Sequence, residues 1–220
     1  GNFINPYTSL LHKDIYKIPF ILLVGWRGEP DSVDEPQHQF QGRITLELLE
    51  LLEIQFLIID SESNFDQIFK AINLSISKKE PLALVVKKGT FEKDDRFFEK
   101  SEHLQTRKNA LSKVVNNFSK ETLFISTTGK LSRELYELRK NTNQECNDLY
   151  VVGGMGHASA ISTGILYGIK NKTVVCLDGD GAVLMHMGNL GILGNSGMEN
   201  FVHIIFDNST HESVGGQPTI

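Results

Sequence analysis

The chain has 220 residues, enough for one large or two small domains, and its 40% hydrophobic and 22% charged content is ordinary for a soluble globular protein. A net charge of −5, with no basic stripe interleaved with aromatics, argues against a nucleic-acid partner. No apolar run approaches the roughly 20 residues of a membrane span, and the amino end lacks a signal-peptide pattern. The two cysteines, Cys146 and Cys176, have no metal-ligand spacing, so a buried Cys176 thiol and a reducing cytoplasm are expected.

The first region alternates β and α signals. Residues 19–24 (PFILLV) read as a buried strand ending at Gly25, and 45–52 supply an apolar helical face. Residues 56–59 (FLII) read as a strand, 65–76 as a helix and 82–86 (LALVV) as a third strand. Continuous aliphatic runs of this kind suit parallel strands covered on both faces. Between 87 and 120 the composition turns charged, with FEKDDRFFEK near its start. A linker over 91–105 hands over to an amphipathic helix at 108–118 (KNALSKVVNNF). The expected divisions are therefore 1–90, 91–105 and 106–220.

The second region opens with a strand at 122–125 (TLFI), then Ser126-Thr127-Thr128-Gly129 and a helix to about 140. A strand at 149–152 (LYVV) runs into Gly153-Gly154-Met155-Gly156 and a small-residue helix (HASAISTGILYGI). Residues 173–177 (TVVCL) form the next strand, followed by Gly179-Asp180-Gly181, a helical stretch from about 182, and a last strand at 201–206 (FVHIIF) that ends on Asp207-Asn208. Gly188, Gly191 and Gly194 recur every third residue and read as helix-packing positions. The whole predicts an α/β fold of two doubly wound domains with mostly parallel sheets. The chain starts on Gly in a polar segment and stops at Ile220 soon after VGGQPT, where such a domain would continue, so a fragment of a longer polypeptide is expected.

The 173–208 segment carries the sharpest chemistry. A strand–helix–strand unit of this length is a right-handed crossover between parallel strands. Asp180 and Asn208 then lie just past strand carboxyl ends, the edge where open α/β sheets bind ligands. If the strands are neighbours, about 4.8 Å apart, a carboxylate and an amide oxygen converge on one hard cation. Two protein ligands are the expected set for Mg²⁺, which keeps waters and takes further oxygens from a phosphate.

Other motifs are more ambiguous. Ser126-Thr127-Thr128-Gly129 precedes a helix, where hydroxyls and free N–H groups make an anion cradle or simply cap the helix. With Lys130 it resembles the tail of a P-loop, but the earlier Gly is absent and Leu131 stands where Ser or Thr is required. Gly154-Met155-Gly156-His157-Ala158-Ser159 nearly spells a dinucleotide fingerprint, with Asp178 placed as a ribose-binding acid. Ser159 departs from that pattern, and Asp180 and Asn208 have no role in it. His186 and His203 read as structural, whereas His157 and His211 directly follow candidate ligand loops.

With these residues in view, the second region resembles the diphosphate-binding domain of thiamine diphosphate enzymes, whose signature is Gly-Asp-Gly followed a few dozen residues later by Asn-Asn. Here Asp207 replaces the first Asn and Asn208 keeps the second. The resemblance implies Mg²⁺ held by Asp180, Asn208 and the main-chain carbonyl of Thr210. It implies diphosphate binding by Ser126, Thr127, Thr128 and Gly129 and by the turn of Gly179, Gly181 and Ala182. Met155 would wedge the cofactor into a bent shape, with main-chain groups of Gly153 and Met155 on the pyrimidine. The first region (NPYTSLLHKDIYKIPFILLVGWRGEP, then DEPQHQFQGRIT), with STTGKLSREL, GGMGHASA and VGGQPT, is similar to the phosphonopyruvate and sulfopyruvate decarboxylase subgroup.

That resemblance implies decarboxylation of a 2-oxo acid, phosphonopyruvate preferred over sulfopyruvate, by a homo-oligomer whose site forms between domain types of different subunits. His38 and His211 are the candidate proton carriers, and Arg27 or Arg43 the candidate cation for the phosphonate. The family's activating glutamate belongs to the amino-terminal half of the pyrimidine-binding domain, and no glutamate here sits in a matching motif. The 220 residues are therefore expected not to turn over alone. A nicotinamide oxidoreductase and a non-catalytic cofactor-binding subunit stand as the alternatives.

Overall fold

The computed structural model describes residues 2–92, 105–142 and 146–219. The chain divides into two compact units, residues 1–93 and 94–220. Most of the predicted 91–105 linker lies outside the described residues. No helix among the described residues is long and apolar enough to cross a membrane.

The first unit opens with a short helix, α1 (Ile4–Pro6), that continues as a π-helical turn (Tyr7–Leu11). Strands β1 (Ile21–Gly25), β2 (Gln55–Ile59) and β3 (Leu82–Val86) form a wholly parallel sheet in the order β1-β3-β2. Helix α2 (Pro36–Leu51) follows β1, and α3 (Phe65–Lys78) follows β2. Every residue of the central β3 is buried, which is why its sequence is unbroken aliphatic. Side chains alternate across the sheet. Ala83 and Val85 pack with Tyr7, Leu49 and Ile54, while Leu82 and Leu84 pack with Ile59 and Ile68.

Helix α2 starts nine residues before the predicted 45. Its first turns are polar (PQHQFQGR), so hydrophobic periodicity is silent there. Pro36 at the first helical position is pre-set for the helix and needs no N–H partner. Helix α3 begins where a local signal does exist, because the Asn64 side chain accepts from the N–H groups of Asp66 and Gln67.

The second unit is a four-stranded parallel sheet, β4 (Leu123–Ser126), β5 (Leu149–Tyr150), β6 (Val174–Gly179) and β7 (Phe201–Phe206), in the order β5-β4-β6-β7. Helices α4 (Arg107–Asn116), α5 (Lys130–Thr142), α6 (Ala158–Gly168), α7 (Asp180–Met185) and α8 (Gly188–Asn195) connect or flank the strands. Val175 and Leu177 pack with Leu111, Val115, Leu131 and Leu135 of α4 and α5. Val174 and Cys176 point the other way, onto Ala158 and Leu166 of α6. Both units are thus α/β with parallel sheets, as the sequence predicts.

Two strand ends differ from expectation, and both matter for the site. β6 runs through Asp178 and Gly179 because the ladder with β7 continues to the Gly179–Phe206 pair. β5 stops at Tyr150, where its pairing with β4 ends, so Val151 and Val152 belong to a loop. The packing role read into Gly188, Gly191 and Gly194 is not met among the described residues, where a Cβ on any of them would touch nothing within 4 Å.

Candidate active site

Four turns leave the carboxyl edge of the second sheet, after Ser126, Tyr150, Gly179 and Phe206. The turn after β4 is stitched inward by the Thr127 N–H, which donates to the Leu177 carbonyl at 2.8 Å. Ser126 is fully buried, and its hydroxyl lies 2.6 Å from Ser132 Oγ, which in turn donates to the Thr127 carbonyl at 2.7 Å. The Ser126 hydroxyl therefore faces the protein, away from any ligand. Thr127 is only 5% exposed, and its Oγ1 is buried with no hydrogen-bond partner. A buried hydroxyl left unpaired costs about 1–3 kcal/mol, so Thr127 calls for an acceptor or donor beyond the described residues. Thr128 Oγ1 donates to the Val152 carbonyl at 2.5 Å, tying this turn to the next.

In that next turn, Gly156 lies against α7; a Cβ there would sit 2.8 Å from the Ala182 carbonyl and 2.7 Å from the His186 ring. His157 Nδ1 is 3.0 Å from the Gly154 carbonyl, and its ring lies 4.1 Å, centroid to centroid, from that of His186. Both histidines thus pack beside the Gly153–Gly156 loop. Met155 is exposed.

Asp180 is the first residue of α7, where the free N–H groups and helix dipole favour an acid. Its Oδ2 accepts from Thr219 Oγ1 at 2.9 Å. A Cβ on Gly181 would lie 2.7 Å from His211 Nδ1 and 3.6 Å from Met155 Cε. A side chain there would have to displace the His211 ring, so Met155, Gly181 and His211 converge.

After β7, Asp207 Oδ1 accepts from the Ser209 N–H at 2.7 Å, and Asn208 Oδ1 accepts from the Thr210 N–H at 3.3 Å. Residues 209–219 fold back on themselves through His211 N–H to the Gln217 carbonyl (2.8 Å) and Thr219 N–H to the Ser209 carbonyl (3.0 Å). This return brings Thr219 onto Asp180. The Ser209 N–H, with a lesser contribution from the adjoining Asp180 side chain, holds the Asp207 carboxyl below the usual range. Asp180 and Asp207 bring carboxylates to the ends of the adjacent strands β6 and β7, and Asn208 adds an amide, oxygen donors of the kind a hard divalent cation takes. Lys130 Nζ reaches Glu212 Oε1 at 2.7 Å, and Arg107 Nη1 lies 3.6 Å from Glu212 Oε2, so the last turn is pinned to the start of α5.

Asp178 belongs instead to a buried cluster with Cys176 and His203, whose ligand-capable atoms all lie within 4.8 Å of one another. It is fully buried, its Oδ1 accepts from the Gly179 N–H at 3.2 Å, and its Oδ2 lies 3.4 Å from His203 Nε2. Burial, reinforced by the Asp178 charge, pushes the neighbouring Cys176 thiol up to about 12. A carboxylate enclosed in this way cannot meet a ribose, which removes the acid required by the dinucleotide reading of Gly154 to Ser159.

Of the predicted residues, the second unit gathers Thr127, Thr128, Met155, Asp180, Gly181, Asn208 and His211 on linked turns, and leaves Ser126 turned inward. Sequence reasoning missed Asp207 beside Asp180 and the Lys130–Glu212 tie. The only written signal for the former is the Asp207-Asn208 pair itself. His38 belongs to the first unit, where its Nδ1 lies 3.0 Å from Asp34 Oδ1. Arg27 binds the same carboxylate through Nε at 2.9 Å and Nη2 at 2.7 Å. Arg43 stacks over Phe40, its guanidinium carbon 5.6 Å from the ring centre.

Residues 127–220, which carry these four turns, match the family model for the thiamine pyrophosphate enzyme, C-terminal TPP binding domain. The chain as a whole resembles phosphonopyruvate decarboxylases. It is 35% identical to the phosphonopyruvate decarboxylase of Streptomyces viridochromogenes, over 100% of this chain and 58% of that protein. The corresponding enzyme of Streptomyces hygroscopicus is 33% identical over the same shares. Sulfopyruvate decarboxylase subunit beta of Methanocaldococcus jannaschii is 36% identical over 50% of this chain and 55% of that subunit. The chain thus spans somewhat over half the length of the curated relatives it matches.

Proposed function

We propose that the protein is a thiamine diphosphate- and Mg²⁺-dependent decarboxylase of a 2-oxo acid, with 3-phosphonopyruvate converted to phosphonoacetaldehyde and carbon dioxide. The observation that carries this reading is the convergence of Met155, Gly181 and His211 beside the oxygen cluster of Asp180 and Asp207. The unpaired Thr127 hydroxyl supports it, because a diphosphate oxygen supplies the missing partner.

When bound, the cofactor takes up the electron pair left by loss of carbon dioxide, which no side chain here can hold. The remaining work falls to the chain. Thr127, the main chain of Thr128 and Gly129, and the N–H groups of Gly181 and Ala182 bind the diphosphate, aided by the amino ends of α5 and α7. Asp180, Asn208 and the Thr210 carbonyl hold Mg²⁺, with Asp207 as a further carboxylate beside them. Met155 and the main chain of Gly153 would hold the pyrimidine end of the cofactor. His211, packed against Gly181, and His38 move protons to and from the substrate. Arg27 is committed to Asp34, which leaves Arg43 as the cation for the phosphonate. A homo-oligomer in the cytoplasm completes the proposal; two free thiols suit a reducing compartment.

The deciding experiment is calorimetric titration of the natural full-length protein. Thiamine diphosphate should bind only with Mg²⁺, and Asp180→Ala should abolish that binding. NADH binding without it would overturn the proposal. Parallel turnover of phosphonopyruvate, sulfopyruvate and pyruvate then assigns the substrate.

A further inference from the structure

Outside the second unit's site, the most elaborate polar cluster is built on the loop between β1 and α2. Its hub is Asp34, whose side chain is 10% exposed. Oδ2 accepts from Arg27 Nε at 2.9 Å and the Gly28 N–H at 2.7 Å. Oδ1 accepts from Arg27 Nη2 at 2.7 Å and the Glu35 N–H at 2.7 Å, and lies 3.0 Å from His38 Nδ1. Four donors that never give up their protons face one carboxylate, which keeps it ionised and purely an acceptor.

We infer that Asp34 is a positioning residue: it holds His38 as the Nδ1–H tautomer and so makes Nε2 the atom through which His38 exchanges a proton with the substrate. The proton-transfer role rests on the function proposed above; the tautomer does not. The competing arrangement has Arg27 Nη2, 3.0 Å from the same ring nitrogen, donating to a bare Nδ1. That places the ring lone pair against the Asp34 oxygen. Arg27 Nη2 keeps a second N–H, but these three distances put Oδ1 and Nδ1 only about 60° apart as seen from Nη2, so an N–H aimed at Oδ1 leaves the other poorly aimed at the ring, whereas a ring N–H can point straight at the carboxylate. The carboxylate therefore selects the tautomer, the logic by which an acid partner orients a working imidazole.

The backbone makes this spacing rigid. Gly28 adopts a φ of +66°, and a Cβ on it would stand 2.1 Å from the His38 carbonyl oxygen. A Cβ on Gly42 would stand 1.6 Å from the Gly28 carbonyl oxygen. The Trp26 indole N–H donates to the Gly42 carbonyl at 2.9 Å. The loop thus lies directly on α2 and fixes Asp34 relative to His38. In the same segment, Glu29 Oε2 and Gln37 Oε1 are buried with no hydrogen-bond partner among the described residues, so each calls for water or another group beside this cluster.

The test uses the natural full-length protein labelled with ¹⁵N-histidine, with His38 assigned by His38→Gln. Long-range ¹H–¹⁵N spectra of the neutral ring should show protonated Nδ1 and bare Nε2. Asp34→Asn turns an amide N–H toward Nδ1 and should switch the ring to Nε2–H. It should lower kcat by about 100-fold or more while leaving thiamine diphosphate affinity unchanged, a split that a merely structural role would not give. Arg27→Gln keeps the carboxylate and should keep the Nδ1–H tautomer, which preserves the test if Asp34→Asn fails to fold. Finding Nε2–H in the wild type, or a tautomer switch with kcat unchanged, overturns the inference. Absence of any cofactor-dependent turnover in the wild type removes the proposed function and the proton-transfer role together, while the spectra still decide the Asp34–His38 contact.

Discussion

Thr127→Val separates a ligand-binding hydroxyl from a structural one because the two roles give effects of opposite sign. Thr127 is 5% exposed and its Oγ1 has no partner. Valine keeps the shape and removes only the polar atom, so no cavity opens. Deleting a buried unsatisfied hydroxyl recovers part of a penalty of about 1–3 kcal/mol. The cofactor-free protein should therefore gain about 1 kcal/mol in urea unfolding. In the proposed complex the same hydroxyl would donate to an anionic oxygen, a bond contributing about 1.5–3 kcal/mol. Its loss should weaken thiamine diphosphate binding about 10- to 150-fold. Calorimetry with saturating Mg²⁺ reads the second effect. A variant that is destabilised without cofactor, or one that binds the cofactor as tightly as wild type, refutes the reasoning.

Gly42→Ala should be far more damaging than an average surface change, because its Cβ would collide with backbone, 1.6 Å from the Gly28 carbonyl oxygen, and would dislodge the Trp26–Gly42 hydrogen bond. A loss of about 3 kcal/mol or more is expected, read as a fall of at least about 1 M in the urea midpoint. An unchanged midpoint would show that the loop does not rest on α2. Arg27, followed by the His38 and backbone hydrogen bonds, holds the Asp34 carboxyl well below the usual carboxylate range. Its stabilising contribution is thus fully present above the unfolded value of about 4 and is lost as the pH falls below it. Thermal melts from pH 5 to pH 3 should fall more steeply for wild type than for Asp34→Asn; parallel curves would argue against the hub. Gly181→Ala presses on the end of a movable His211 ring, so melting should shift little while cofactor affinity drops at least tenfold. Unaltered affinity would separate Gly181 from the site.

Much of the fold was legible because parallel strands buried on both faces must be aliphatic throughout. LALVV at 82–86 matches the fully buried β3 residue for residue, and FVHIIF at 201–206 matches β7, a partly exposed edge strand, equally well. The start of α2 was not legible, because its first turns are polar and periodicity has nothing to register. The 149–152 strand was read too long for a related reason: Val151 and Val152 have β propensity, but β4 offers pairing only as far as Tyr150.

For the site, local residue chemistry and strand order went a long way. The placing of Gly179-Asp180-Gly181 and Asp207-Asn208 at the ends of two neighbouring strands was read from the sequence, and β6 and β7 are neighbours. Pattern alone could not tell which polar side chains face a ligand. Ser126 and Thr127 are adjacent hydroxyls in one turn, yet Ser126 is spent on Ser132 while Thr127 is left unpaired. Asp178 and Asp180 lie two residues apart, yet one is sealed against His203 and the other opens α7. The sequence determined the classes of chemistry at each strand end, because those depend on residue type and order along the chain. Only the tertiary structure decided which groups are free, because a hydrogen bond is used up by whatever partner the packing brings within about 3 Å, and that partner is usually distant in sequence.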